Sequence, residues 1–185
     1  MLPASVQMMV IKRFLNTGDF VIADDIVKYL KDQSLLLTTA ESCTAGRIIA
    51  LLAEVEGSGS LIECGYVVYS PEAKQRLLGV SPETIEQFNL TSEEVAREMA
   101  TGALRDSPAS VAIATTGLCG TEDMDGIPAG TVCFAWAFAH DERVVVFTRK
   151  RRFFGDRESL QRQAALHALQ CFPDFHRRAL AGEAA

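Results

Sequence analysis

Ser42 stands in the segment Ala40-Glu41-Ser42-Cys43-Thr44-Ala45-Gly46, between a short apolar run and a segment of helical period. A serine at a strand-to-helix turn presents its hydroxyl beside the free backbone N–H groups of the new helix, which can stabilise an oxyanion or hold a phosphate. This layout has the mechanics of a nucleophile elbow without the G-x-S-x-G sequence. The competing role for Ser42 or Thr44 is to cap the helix, where Ser and Thr are strongly preferred. Cys43 is a second candidate nucleophile. No histidine lies near it in sequence to activate it, which favours a buried structural thiol.

A serine needs a base, and the three histidines offer little. His140 falls in a turn, while His167 and His176 lie on or after the last helix. Lys74 is the stronger candidate, because Ser70 as N-cap and Pro71 at the first helical position put it at about the fourth. There the helix dipole disfavours the ammonium form, and burial would add to this, leaving an amine able to take the serine's proton. The alternative is a solvated lysine, since lysine is seldom buried unless paired. A further loop, Thr115 to Gly120, combines the Thr115 and Thr116 hydroxyls with Gly117 and Gly120, which permit close backbone approach to an anion. It is not a P-loop, since G-x-x-x-x-G-K-[ST] is missing, and a plain turn is its other reading. Arg149 to Arg152 and Arg157 form the dense basic stretch, either a solvated strand end or a phosphate-binding surface.

The elements that must position these groups alternate along the chain. Ile22, Ile26 and Leu30 predict a helix over 19–31, and Leu35 to Thr39 a buried strand. Ile48, Leu51, Leu52 and Val55 predict a helix from Cys43 to about Glu54. Leu61 to Tyr69 is β-rich, and Ser70-Pro71 opens a short helix that ends at Gly79. Ser81-Pro82-Glu83 opens another, and Thr91 to Glu94 have capping-box spacing ahead of a third that runs to about Leu104. Ser110 to Thr116 is a strand, followed by a Gly-rich, acidic loop to Gly130. Runs 130–139 and 143–150 then suggest an antiparallel hairpin, and a last helix starts near Asp156 and stops before Pro173. About five strands and six helices imply an α/β fold of three layers, α/β/α, with a mostly parallel, mixed sheet and an antiparallel hairpin at one side. Ligands of such sheets collect beyond the carboxyl ends of the strands, where the segments Ala40 to Gly46, Ser70 to Lys74 and Thr115 to Gly120 lie.

At 185 residues the chain fits one domain. With 48% hydrophobic and 23% charged residues it is ordinary for a soluble globular protein, so disorder is excluded as its main description. The net charge of −6 argues against non-specific nucleic-acid binding. Five cysteines without C-x-x-C spacing suggest neither a disulfide framework nor a zinc site, and point to a reducing, cytoplasmic setting. No run approaches the length of a membrane span.

Together the segments TTAESCTAG (38–46), VVYSPEAKQRLLGVSPETI (67–85), TSEEVAREMATGA (91–103), ATTG (114–117), PAGTV (128–132) and FFGDRESLQRQAA (153–165) resemble the CinA C-terminal domain family. The likeness runs from about Leu36 to Phe172, and within the single domain residues 1–18 are read as an N-terminal extension and 173–185 as a tail. Its characterised enzymes deamidate nicotinamide mononucleotide with a serine nucleophile and a lysine base. The resemblance implies that Ser42 and Lys74 take those roles and that Tyr69 orients groups or relays protons. It also implies substrate contacts from Glu41, Thr44, Gly46, Thr116, Gly117 and Arg157. No metal or organic cofactor is implied. The expected partner is a small nucleotide substrate, with no nucleic acid and no membrane. An exposed hairpin edge suggests a homo-oligomer, a dimer first. In one respect the chain departs from the family, which commonly continues T-G as T-G-I-A-G-P. Here Leu118 to Asp125 follow, and Glu122, Asp123 and Asp125 bring negative charge to the loop. The departure bears on substrate affinity or identity more than on the hydrolytic chemistry, and a silent or altered-substrate binding module is the rival expectation.

Overall fold

The computed structural model describes residues 17–120, 122–140 and 143–183. Met1 to Asn16 of the expected extension, Thr121 of the acidic loop and Asp141-Glu142 of the expected hairpin turn lie outside the described residues.

Two apolar runs set the frame. Strand β1 (Leu37–Glu41) is buried at every position, and β3 (Val111–Gly117) at all but its last, as strands covered on both faces must be. Strand β2 (Ile62–Val67) alternates half-buried with exposed residues and forms one edge. Strands β4 (Thr131–His140) and β5 (Arg143–Arg152) form the hairpin at the other side. The order is β2-β1-β3-β4-β5. β1 pairs in parallel with both β2 and β3, whereas β3–β4 and β4–β5 are antiparallel, so the sheet is mixed as expected.

Helices cover both faces, which makes the three layers. On one face α1 (Thr17–Asp32), α2 (Arg47–Ala53) and α6 (Arg157–Leu180) pack on large side chains of the sheet, among them Leu37, Ile113, Phe134 and Trp136. On the other, α3 (Pro71–Leu78), α4 (Pro82–Phe88) and α5 (Glu93–Arg105) meet a floor of Ala40, Ala112, Ala114, Ala135 and Ala137. Small residues there let α5 come close to the sheet. Gly102 on α5 extends the same logic, since a Cβ at that position would lie 2.0 Å from the Leu78 carbonyl oxygen that ends α3.

The two largest boundary differences from expectation each have a physical reason. The helix after Ser42 begins at Arg47 rather than Cys43, because Ala45 (φ 55°) and Gly46 (φ 88°) turn through the left-handed region and cannot be helical. Helix α6 does not stop before Pro173 but continues through it to Leu180, so much of the expected tail is helix. An interior proline costs about 3 kcal/mol. Phe175, His176 and Ala179 beyond it are buried, and burying one large apolar side chain is worth about 1.5–3 kcal/mol, enough to offset that cost. Among the described residues no helix is long and apolar enough to cross a membrane, and no cluster of side chains has the make-up of a metal site.

Candidate active site

The parallel strands β1, β2 and β3 end at one rim of the sheet, and a cleft of about 560 Å³ opens there. Ser42 follows β1 directly. Its backbone N–H donates to the Thr115 carbonyl of β3 (2.9 Å), so the residue is pinned to the sheet although it lies past the strand's end. Lys74 comes from the opposite layer. Ser70 caps α3 by accepting from the Ala73 N–H, Pro71 holds the first turn, and Lys74 is its fourth residue, as the spacing predicts.

The lysine is 1% exposed, and its Nζ has three oxygen neighbours: Ser42 Oγ (2.9 Å), the Val68 carbonyl (2.8 Å) and the Tyr69 carbonyl (3.0 Å). Burial pulls its pKa down to about 8, with the neighbouring Cys43 acting weakly the other way. Two of the amine's hydrogens go to the carbonyls, leaving the third direction for Ser42. A neutral amine so held aims its lone pair at the serine hydroxyl, the geometry general-base activation needs.

The turn between Ser42 and α2 is organised by Glu41. Its buried carboxylate accepts from the Thr44 hydroxyl (2.7 Å) and from the Ile48 and Ile49 N–H groups (3.1 and 3.0 Å), so Glu41, not Ser42 or Thr44, caps α2. Thr44 also meets the Thr115 hydroxyl (2.7 Å). At Gly46 a Cβ would lie 3.3 Å from Val67 Cγ2, and φ is +88°, so the position suits glycine for backbone reasons. Glu41, Thr44 and Gly46 therefore lie behind the cleft and shape its wall, whereas Ser42, Lys74, Tyr69, Thr116, Gly117 and Arg157 line it. The Cys43 carbonyl of the same turn accepts from Gln161 of α6 (2.9 Å).

On the open side Tyr69 is 55% exposed, and its hydroxyl accepts a hydrogen bond from Arg157, the first residue of α6. Thr116 donates to the Leu90 carbonyl (2.7 Å), which ties the Asn89-Leu90-Thr91 segment to the rim. At Gly117 a Cβ would meet the Thr131 carbonyl oxygen at 2.4 Å, so glycine there reflects the close approach of β3 and β4. Glu122 and Asp125 of the acidic loop face the cleft, while Asp123 accepts from the Ala129 N–H and closes the loop on itself. Of the expected basic stretch only Arg157 lines the cleft. Arg149, Arg151 and Arg152 lie over Phe175, Phe153 and Phe154, so that run binds its own aromatic rings. Cys43 is buried, and the Cys119 thiol beside it, together with burial, pushes its own thiol up, which disfavours a thiolate nucleophile. His167 and His176 pack among aromatic rings.

Sequence reasoning missed the wall residues Asn89 to Thr91, the capping role of Glu41 and the reach of Gln161. Only the first had a local signal, in the Asn-Leu-Thr-Ser break ahead of α5.

A buried serine–lysine contact that faces a cleft at the rim of parallel strands is an arrangement that can support nucleophilic chemistry in an α/β fold. The CinA C-terminal domain model matches residues 19–175, and the chain belongs to that family. The chain is 39% identical over 150 residues to a protein of Escherichia coli named nicotinamide-nucleotide amidohydrolase PncC, covering 80% of this chain and 89% of that one. It is 42% identical over 142 residues to the protein of the same name from Enterobacter agglomerans, covering 76% and 85%. A solved CinA superfamily protein of Klebsiella pneumoniae superposes with a TM-score of 0.78 at 36% identity, covering 83% of this chain and 94% of that one.

Proposed function

We propose that the protein is an amidohydrolase that converts nicotinamide mononucleotide to the acid mononucleotide and ammonia. The observation that carries this is the 2.9 Å contact between Lys74 Nζ and Ser42 Oγ, inside a cleft of a chain whose relatives carry that activity in their names. Neutral Lys74 takes the Ser42 proton as Oγ attacks the carboxamide carbon. The oxyanion is received by backbone N–H groups that follow Ser42, those of Cys43 and Thr44. The lysine ammonium then returns its proton to the leaving nitrogen, the C–N bond breaks, and ammonia departs. Water, deprotonated by the same lysine, attacks the acyl-enzyme and releases the carboxylate. Arg157 and Tyr69, already bonded to each other at the cleft mouth, bind and orient the phosphate or ribose together with Thr116.

Ammonia release from nicotinamide mononucleotide by the purified protein tests this reading. Turnover is expected, and it should fall at least about a thousandfold in Ser42→Ala and in Lys74→Ala, because a nucleophile and its base act as one unit. An inert wild type, or either variant at full rate, defeats the reading.

One observation favours a second reading, in which the site binds a nucleotide without this turnover. Glu122 and Asp125 put negative charge on the wall of a cleft meant for a phosphate. Binding of the mononucleotide without ammonia release is the outcome that selects it.

A further inference from the structure

The turn that carries the nucleophile is fastened from two directions. On the sheet side, Ser42 N–H is bonded to Thr115, and the Thr44 hydroxyl sits between Glu41 and Thr115. On the helix side, Gln161 Nε2 donates to the Cys43 carbonyl oxygen at 2.9 Å. Gln161 is half-buried and lies four residues after Arg157, one turn further along the same face of α6. That face therefore reaches both Tyr69 at the mouth and the nucleophile turn behind it.

The bond to Cys43 does more than hold a loop. A trans peptide is planar, with its C=O and the following N–H pointing opposite ways. Fixing the Cys43 oxygen toward α6 therefore fixes the Thr44 N–H away from α6. Among the described residues, neither the Cys43 nor the Thr44 N–H donates to a backbone carbonyl. In the proposed mechanism these two donors receive the oxyanion on the Ser42-bound carbon, and donors already fixed in place cost no reorganisation at the moment of reaction.

We infer that Gln161 is a positioning residue that sets the oxyanion-binding N–H groups of the Ser42 turn. It does not line the cleft and acts through the Cys43–Thr44 peptide. The inference rests on the Ser42–Lys74 amidase reading. Its signature is a loss in the transition state with ground-state binding kept, so kcat should drop while KM holds.

Two variants of near-equal size test it. Gln161→Met removes the donor, and Gln161→Glu sets a carboxylate against the Cys43 carbonyl. Steady-state turnover of nicotinamide mononucleotide is expected to show kcat down about 10- to 100-fold in both, with Glu the worse, and KM within about threefold, a fraction of the loss seen when an oxyanion donor is deleted outright. A fluorophosphonate probe gives a readout independent of the natural substrate. Ser42 Oγ forms a bond to phosphorus, the P–F bond breaks, fluoride leaves and Lys74 takes the proton, so labelling should slow in parallel with kcat. If the wild type neither turns over nor labels, the amidase reading falls first. If the wild type labels at Ser42 and both variants label and turn over within twofold of it, the role of Gln161 is overturned, as it is if KM rises while kcat holds. Should Gln161→Glu fail to fold, as seen by circular dichroism, Gln161→Met carries the test alone.

Discussion

Lys74 is the residue whose environment most constrains the chemistry. Its amine sits in a pocket closed by two carbonyls and one serine, and burial holds its pKa near 8. Only the unprotonated form can accept the Ser42 proton. The rate constant kcat/KM is therefore expected to rise with pH and level off above about 8, and a profile flat from pH 6 to 9 would remove the lysine from the proton path. The same shift couples to stability: the folded state releases a proton that the unfolded chain still holds, so the lysine's contribution is complete above its ordinary value of 10.5 and is lost as pH falls through about 8. Ser42 and Lys74 were legible because local rules place them, a strand running into a turn for one, a capped and proline-started helix for the other. Gln161 was not, since its partner lies 118 residues away and a surface-type glutamine has no pattern of its own. Glu41 was read as a substrate contact, but its carboxylate is taken up by the turn and the helix it caps.

Among the elements, α3 and α5 decide whether the lysine meets the serine. Helix α3 carries Lys74 but is only eight residues long, too short to hold itself in place, so its position comes from packing. Leu78 at its end and Val80 just after it are buried against Val95, Met99 and Ala103 of α5. Gly102 lets the two approach until the glycine meets the Leu78 carbonyl. Gly102→Ala should therefore push α3 outward, destabilising the protein by about 1–3 kcal/mol as overpacked sites do, and lowering kcat more than a remote change of equal stability cost. Thermal unfolding and kinetics measured side by side check it. If the melting temperature falls and turnover per folded molecule is unchanged, α3 is not held by this contact. Element existence was legible throughout, because period and caps are local. The late start of α2 and the run of α6 through Pro173 were not, since one depends on a left-handed turn at a non-glycine residue and the other on what the far half of a helix buries.

Over the whole molecule, charge and topology divide the labour. The net charge of −6 is uneven: Glu122 and Asp125 sit on the cleft wall, while Arg149 and Arg151 of β5 lie over the Phe175 and Phe153 rings. The overall sign that argued against nucleic acid thus says little about the field inside the cleft, where Arg157 and the two carboxylates line one space. The placement of β1 has a kinetic consequence. It is hydrogen-bonded on both sides and buried along its full length, so its amides can meet solvent only when the sheet comes apart. Backbone amides of Thr38 to Ala40 should be among the slowest to exchange with deuterium, at the rate of global opening, while those of the exposed 122–126 loop exchange early. Because Ser42 is chained to that strand, heat should not undo the Ser42–Lys74 contact before it melts the protein. The Ser42 turn borrows its rigidity from the slowest clock in the fold.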